Sequence, residues 1–193
     1  PSDGYYGKTS SLILRNFAAK VPLYENPDIE VVPSFQDRMK YSSMQELSRD
    51  VENNGYYGGI RLMKAAIRRF WLYCRDQNMP LPDRNFSIRY RSTIPRRLGL
   101  AGSSALVTAT IRCLMEFYDI DIPKPLLPGL ILSVETEELG IAAGLQDRVI
   151  QVYEGVVYMD FQRVLMEAQG HGNYEKLNPA LLPPLFIAYR EDL

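Results

Sequence analysis

The chain has 193 residues, 46% hydrophobic and 23% charged, with 22 Lys+Arg against 23 Asp+Glu. That length supports one domain with a real core, and the apolar fraction with 11% aromatics excludes low-complexity disorder. A net charge of −1 leaves no basic surplus for nucleic acid, and the most apolar run, Ile122 to Val134, is too broken by prolines, a glycine and a lysine to span a membrane.

Leu12 to Tyr24 is rich in β-formers and carries no helix caps, which predicts strand with a break at Pro22, and Ile29 to Phe35 continues the extended character. Ser42-Ser43 followed by Glu46 resembles a capping box and predicts a short helix to about Asn53. Ile60 to Gln77 is the clearest helix. Ile60, Met63, Ile67, Phe70, Trp71 and Cys74 keep helical spacing, and Lys64, Arg68, Arg69 and Arg75 read as its wet face. Asn85 to Ser92 alternates as a half-buried strand. Helices are predicted over Ser103 to Tyr118, Pro125 to Leu139 and Leu145 to Tyr153, and strands over Gly155 to Phe161 and Pro184 to Arg190. Strands, helices and strands in that order predict an α+β domain rather than a regular parallel wheel. Cys74 and Cys113 are too few for a disulfide framework and predict a reducing, cytoplasmic setting.

Three segments carry chemistry. In Ile94 to Ala105 (IPRRLGLAGSSA), Gly99 and Gly102 let the backbone approach a bulky anion, and the following helix offers unpaired N–H groups at the positive end of its dipole. Ser103 and Ser104 can cap that helix, bind a phosphate oxygen or ligate Mg²⁺; a plain loop and N-cap uses the same residues. The segment lacks a Gly-Lys-Ser/Thr ending and a dinucleotide fingerprint. In Ser133 to Arg148, Glu135 and Asp147 would stand about 18 Å apart on one straight helix, but Gly140 and Gly144 invite a bend that returns Asp147 towards Glu135. Glu135, Glu137 and Glu138 serve equally as a solvated helix face, with Asp147–Arg148 a surface pair. At the N-terminus, Asp3, Tyr5, Tyr6 and Lys8 sit around Gly4 and Gly7, a polar turn that could meet sugar hydroxyls and an anion. The single histidine, His171 in a Gly-His-Gly loop, reads as exposed or structural, and Trp71 as core.

In this order the segments resemble the GHMP family of small-molecule kinases. The family's Pro-x-x-x-Gly-Leu-x-Ser-Ser-Ala motif is matched by Pro95, Gly99, Leu100, Ala101, Gly102, Ser103, Ser104 and Ala105, with one extra residue ahead of the serines. Its His-x-Asp-Tyr motif resembles Pro1 to Tyr5, with Pro1 in the histidine's place and the tyrosine displaced. Gly55 to Gly59, Glu138 to Ile141, Ala143 to Arg148 and Gly170 to Gly172 extend the likeness towards the family's plant-type sugar-1-kinases for glucuronate.

The resemblance implies an α+β N-terminal domain with a mixed sheet and helices packed on one face. It implies ATP and Mg²⁺ as cofactors and transfer to the anomeric hydroxyl of D-glucuronate, a sugar acid; another sugar or an isoprenoid precursor as acceptor, or a nucleotide-binding module without turnover, stay open. Pro95 and Gly99 to Ala105 would wrap the ATP phosphates, Ser104 and Glu135 would hold Mg²⁺, and Asp147 would be the base. Asp3 and Tyr5 would bind the sugar, and Lys8, then Arg148 and Arg61, would meet its carboxylate. The chain does not begin with Met and opens inside a motif, so the resemblance also implies an N-terminal portion, residues 1–193, with the family's second domain lying outside it.

Overall fold

The computed structural model describes residues 4, 6–33, 37, 58–95 and 98–189. The helix expected between Ser42 and Asn53 lies outside the described residues.

Among the described residues eight short strands and five α-helices follow one another: β1 Lys8–Leu12, β2 Ala19–Lys20, β3 Leu23–Glu25, β4 Glu30–Val31, α1 Gly59–Asp76, β5 Phe86–Ile88, β6 Arg91–Ser92, α2 Gly102–Tyr118, α3 Leu127–Ser133, α4 Leu145–Tyr153, β7 Val156–Asp160, α5 Arg163–Gln169 and β8 Asn173–Leu177. A π-turn, Val134–Glu138, continues α3. The class is α+β. The mixed sheet takes the form of three small sheets: an antiparallel β1-β7-β8, a two-stranded β2-β6, and β3-β5-β4, in which β4 runs parallel to β5. β7 is the central strand of the first sheet, with Lys8 opposite Asp160 and Leu12 opposite Val156.

The main core lies where α1, α2 and α3 meet β5. Met63 and Phe70 of α1, Ile111 and Leu114 of α2, Ile131 and Val134 of the third helical run, and Phe86 and Ile88 of β5 are all buried there. A second, smaller core joins Val149 and Ile150 of α4 to Val157, Met159 and Phe161 beneath β7. Helix α4 therefore stands between the two cores, and that fixes the height of its first turn, where Asp147 sits. Among the described residues no helix is long and apolar enough to cross a membrane.

Several expectations need correction. The single strand expected over 12–24 is interrupted: residues 13–18 leave the sheets between β1 and β2 and form one wall of a cavity described below. Residues 183–189 form no strand and are exposed. Pro183 and Pro184 donate no N–H, so β-propensity alone cannot hold an edge there. The short α5 and the polar edge strand β8 escaped the apolar periodicity because neither α5 nor most of β8 is buried. Trp71 is not core: it is half exposed, with the Arg75 guanidinium over its ring. Finally, Arg68 is exposed as expected, but both it and the less exposed Arg69 also grip the π-turn, as the site shows.

Candidate phosphate-binding site

The first part of the site is the loop into α2. Gly99 has φ +69° and Ala101 φ 54°, so the chain passes twice through the left-handed region before the helix begins at Gly102. Glycine takes that conformation freely; alanine does so at a cost of roughly 1 kcal/mol, a local strain of the kind that collects at functional sites. Ala101 has no side-chain acceptor. The first intrahelical bond of this turn is Ala105 N–H to Ala101 O at 3.0 Å, so the amides of Gly102, Ser103 and Ser104 have no acceptor within the helix. Bare amides at the positive end of a 17-residue helix favour an anion. Ser104 is fully buried, and its Oγ takes no hydrogen bond.

The second part is the turn that carries Glu135. Residues 134–138 widen into a π-turn, and Gly140, at φ +65°, then turns the chain out of the helix. Helix α1 clamps this turn. Arg68 pairs with Glu138, Arg69 reaches Glu137 at 2.9 Å and donates to Ser133 Oγ at 3.1 Å, and Arg61 donates to Leu139 O at 3.3 Å. The bend expected from Gly140 and Gly144 is present: residues 139–144 are non-helical and α4 returns towards the π-turn. Glu135, only 2% exposed, is ion-paired with Arg148, which is 3% exposed and also donates to Gly144 O at 3.0 Å. The other face of Arg148 lies 3.6 Å from the half-exposed Asp147 carboxylate. Arg148 thus joins the two acids from behind, buried, rather than facing a substrate.

The third part is a cavity of about 510 Å³. One face of α2 (Ala105, Thr108, Ala109 and Arg112) and one face of α4 (Asp147, Ile150, Gln151 and Glu154) form its sides. Gly99, Leu100 and Ala101 lie at its head, and residues 11–15 and 17–19 close it. The bends at Gly99 and before α4 thus place the anion loop and Asp147 on one cavity. Glu135 and Ser104 sit behind the wall.

Pro95 precedes the loop, and Asp3 and Tyr5 lie outside the described residues. Lys8 is not on the cavity wall; its ammonium is 3.2 Å from Asp160 across the β1–β7 pair, and that hydrogen bond and charge raise its pKa above 10.5. Arg61 is engaged with the π-turn. Arg15, missed in the sequence reading, lines the cavity, is exposed, and makes no ion pair among the described residues. Its position in a stretch of β-formers gave no signal, because only the break in the strand turns it inward. His171 lies in the turn before β8, with Nδ1 2.8 Å from Gly172 O and its ring tilted against Tyr174.

A loop of bare amides ahead of a helix, backed by a serine hydroxyl and faced by a carboxylate, is an arrangement suited to a phosphate. Residues 61–155 match the GHMP kinases N terminal domain. It is similar over its whole length to two Arabidopsis thaliana proteins. Glucuronokinase 1 is 44% identical over 195 residues, covering 100% of this chain and 54% of that protein; probable glucuronokinase 2 is 43% identical over 196 residues, with 100% and 53% covered. The chain spans about half the length of these relatives. Among solved structures, a D-glycero-D-manno-heptose 1-phosphate kinase from Bacteriodes thetaiotaomicron superposes with a TM-score of 0.66 at 20% identity, covering 92% of this chain and 53% of that one. The Methanococcus jannaschii mevalonate kinase gives 0.59 at 19% identity, covering 91% and 50%. These likenesses establish the shared fold.

Proposed function

We propose that this chain forms the phosphate-binding part of an ATP-dependent sugar-1-kinase that phosphorylates the anomeric hydroxyl of D-glucuronate. The observation that carries the reading is the shared cavity: the uncapped α2 loop and Asp147 face one space. The extended similarity to the two Arabidopsis glucuronokinases supports the choice of acceptor.

The amides of Gly102 to Ser104 bind the triphosphate without reorganising, so their dipoles favour the charge that shifts among the phosphate oxygens during transfer. Asp147, on the facing helix, orients the attacking hydroxyl and accepts its proton on a carboxylate oxygen. Arg148 lies close behind, 3.6 Å from the Asp147 carboxylate, and helps fix its position. Arg15 adds positive charge to the wall that an anionic ligand passes, a role the position of Lys8 against Asp160 does not allow it to fill.

The residues fit Mg²⁺ in part. Ser104 Oγ is a buried oxygen without a partner, and Glu135 is the buried carboxylate of the adjoining π-turn, engaged by Arg148. Among the described residues no group of three His, Cys, Asp or Glu could hold a metal. Ser104 and Glu135 would therefore hold the ion together with phosphate oxygens, the ordinary arrangement for a nucleotide-bound magnesium. When bound, it would neutralise phosphate charge.

A coupled ADP-release assay over glucuronate, galactose, fucose and mevalonate tests the proposal. ATP turnover that depends on glucuronate is expected; turnover on galactose or mevalonate with none on glucuronate would move the activity elsewhere in the family.

A further inference from the structure

Among the described residues three buried polar side-chain atoms lack a hydrogen bond: Ser104 Oγ, Thr108 Oγ1 and Arg148 Nε. Ser104 belongs to the loop into α2, and Arg148 is held through its terminal nitrogens by Glu135 and Gly144 O, which leaves only its Nε unpaired. Thr108 has no such account. It is 3% exposed, and a buried hydroxyl without a partner costs about 1–3 kcal/mol. Its neighbour Thr110 shows the ordinary outcome for a helical threonine: Oγ1 donates to Leu106 O, four residues back, at 2.9 Å. Thr108 makes no such bond.

Thr108 is also on the cavity wall. It stands one turn after Ser104, about 6 Å along α2 from the anion loop. Ala105 and Ala109 flank it and leave room beside its side chain. On the facing helix, Gln151 stands one turn after Asp147, half-buried, and its carboxamide makes no hydrogen bond in the structure. Past these two, Arg112 and Glu154 pair at 2.8 Å and satisfy each other. One step below the anion loop, then, the groove wall carries a threonine whose enclosed hydroxyl lies just beneath the surface and a half-buried carboxamide, both uncharged, both without partners among the described residues and bordered by small side chains. Such a pair matches the hydroxyls of a sugar ring; an apolar ligand would leave both groups unpaired, and a charged one would find no counter-charge at this level.

We propose that Thr108 and Gln151 form a sugar-hydroxyl subsite in the groove between α2 and α4, and that they help set specificity there. The proposal rests on the kinase reading only in assuming that phosphate occupies the adjoining loop. The sugar comes from one of two sources, the acceptor or the nucleotide's ribose.

The test uses Thr108→Val, which keeps shape and removes the hydroxyl, Thr108→Ser, which keeps the hydroxyl, and Gln151→Leu, all in the intact protein. KM for ATP and for glucuronate is measured, together with the thermal shift induced separately by a non-hydrolysable ATP analogue and by glucuronate. Thr108→Val and Gln151→Leu are each expected to raise one KM about five- to tenfold, the loss of one neutral hydrogen bond, with kcat little changed and Thr108→Ser near wild type. A rise confined to glucuronate, with a smaller glucuronate shift, identifies the acceptor; a rise confined to ATP, with a smaller analogue shift, identifies the ribose. Unchanged KM values and shifts in the valine and leucine variants overturn the subsite while leaving the kinase reading intact. Should the wild-type protein respond to the analogue and phosphorylate no sugar, the acceptor reading falls and the nucleotide arm alone decides the subsite. No response of the wild type to either ligand overturns both.

Discussion

Arg148→Met tests the most consequential contact in the structure. The side chains of Glu135 and Arg148 are 3% and 4% exposed, and the guanidinium also serves Gly144 O. Removing the arginine strands a carboxylate away from water, and breaking a buried pair from one side costs about 3–5 kcal/mol. For a domain of this size each kcal/mol moves Tm by about 2–4 °C, so the variant should melt roughly 6–20 °C lower. The double variant Glu135→Leu with Arg148→Met removes both charges and fills part of the space. It should recover most of the loss, to within about 1–2 kcal/mol of wild type, because a buried pair is worth little against an apolar replacement. Urea denaturation followed by circular dichroism measures all four corners of this cycle. If the double variant loses the sum of the two single losses, the residues are not coupled, and the buried bridge that sets Asp147 beside the π-turn is wrong.

Four further outcomes are expected. Asp147→Asn should lower kcat by about 10²–10⁴ while leaving nucleotide binding by equilibrium dialysis within a few-fold if, as proposed, the carboxylate takes the acceptor's proton. Ser104→Ala removes an orphaned hydroxyl, so its Tm should hold or rise while kcat drops; a lower Tm with unchanged kcat would make Ser104 structural. Ala101→Gly should relieve the left-handed strain and hold Tm level or raise it, whereas Ala101→Val should lower it, because a β-branched residue is least tolerant of φ 54°. Burial pushes the Cys74 thiol up to about 11, so at pH 8 only about one molecule in a thousand carries the thiolate, and in a Cys113→Ser background a disulfide reagent should label it only on unfolding; prompt labelling of that native variant would contradict the burial of Cys74.

The helices were legible because their chemistry is local. Spacing alone placed α1 and α2 within a residue or two of their observed ends and α4 residue for residue, and the glycines of 140–144 announced the bend. The uncapped helix start could be read from Gly99 to Ala105, since bare amides ahead of a helix follow from backbone geometry and need no distant partner. Other features depended on partners far along the chain. Periodicity cannot distinguish an arginine that only faces water from one that also meets an acid 68 or 70 residues later, so Arg68 and Arg69 looked merely wet. Lys8 and Arg148 looked available for the same reason, although Asp160 and Glu135 hold them. The interruption between β1 and β2, which turns Arg15 onto the cavity, and the missing bond at Thr108 are likewise invisible in one dimension. Local sequence determined where the chain is helical, where it must bend and where an anion could be held. The three-dimensional packing of α1, α2 and α4 decided which charges cancel and which side chains are left facing the groove, because charge pairing and burial depend on neighbours that sequence distance does not reveal.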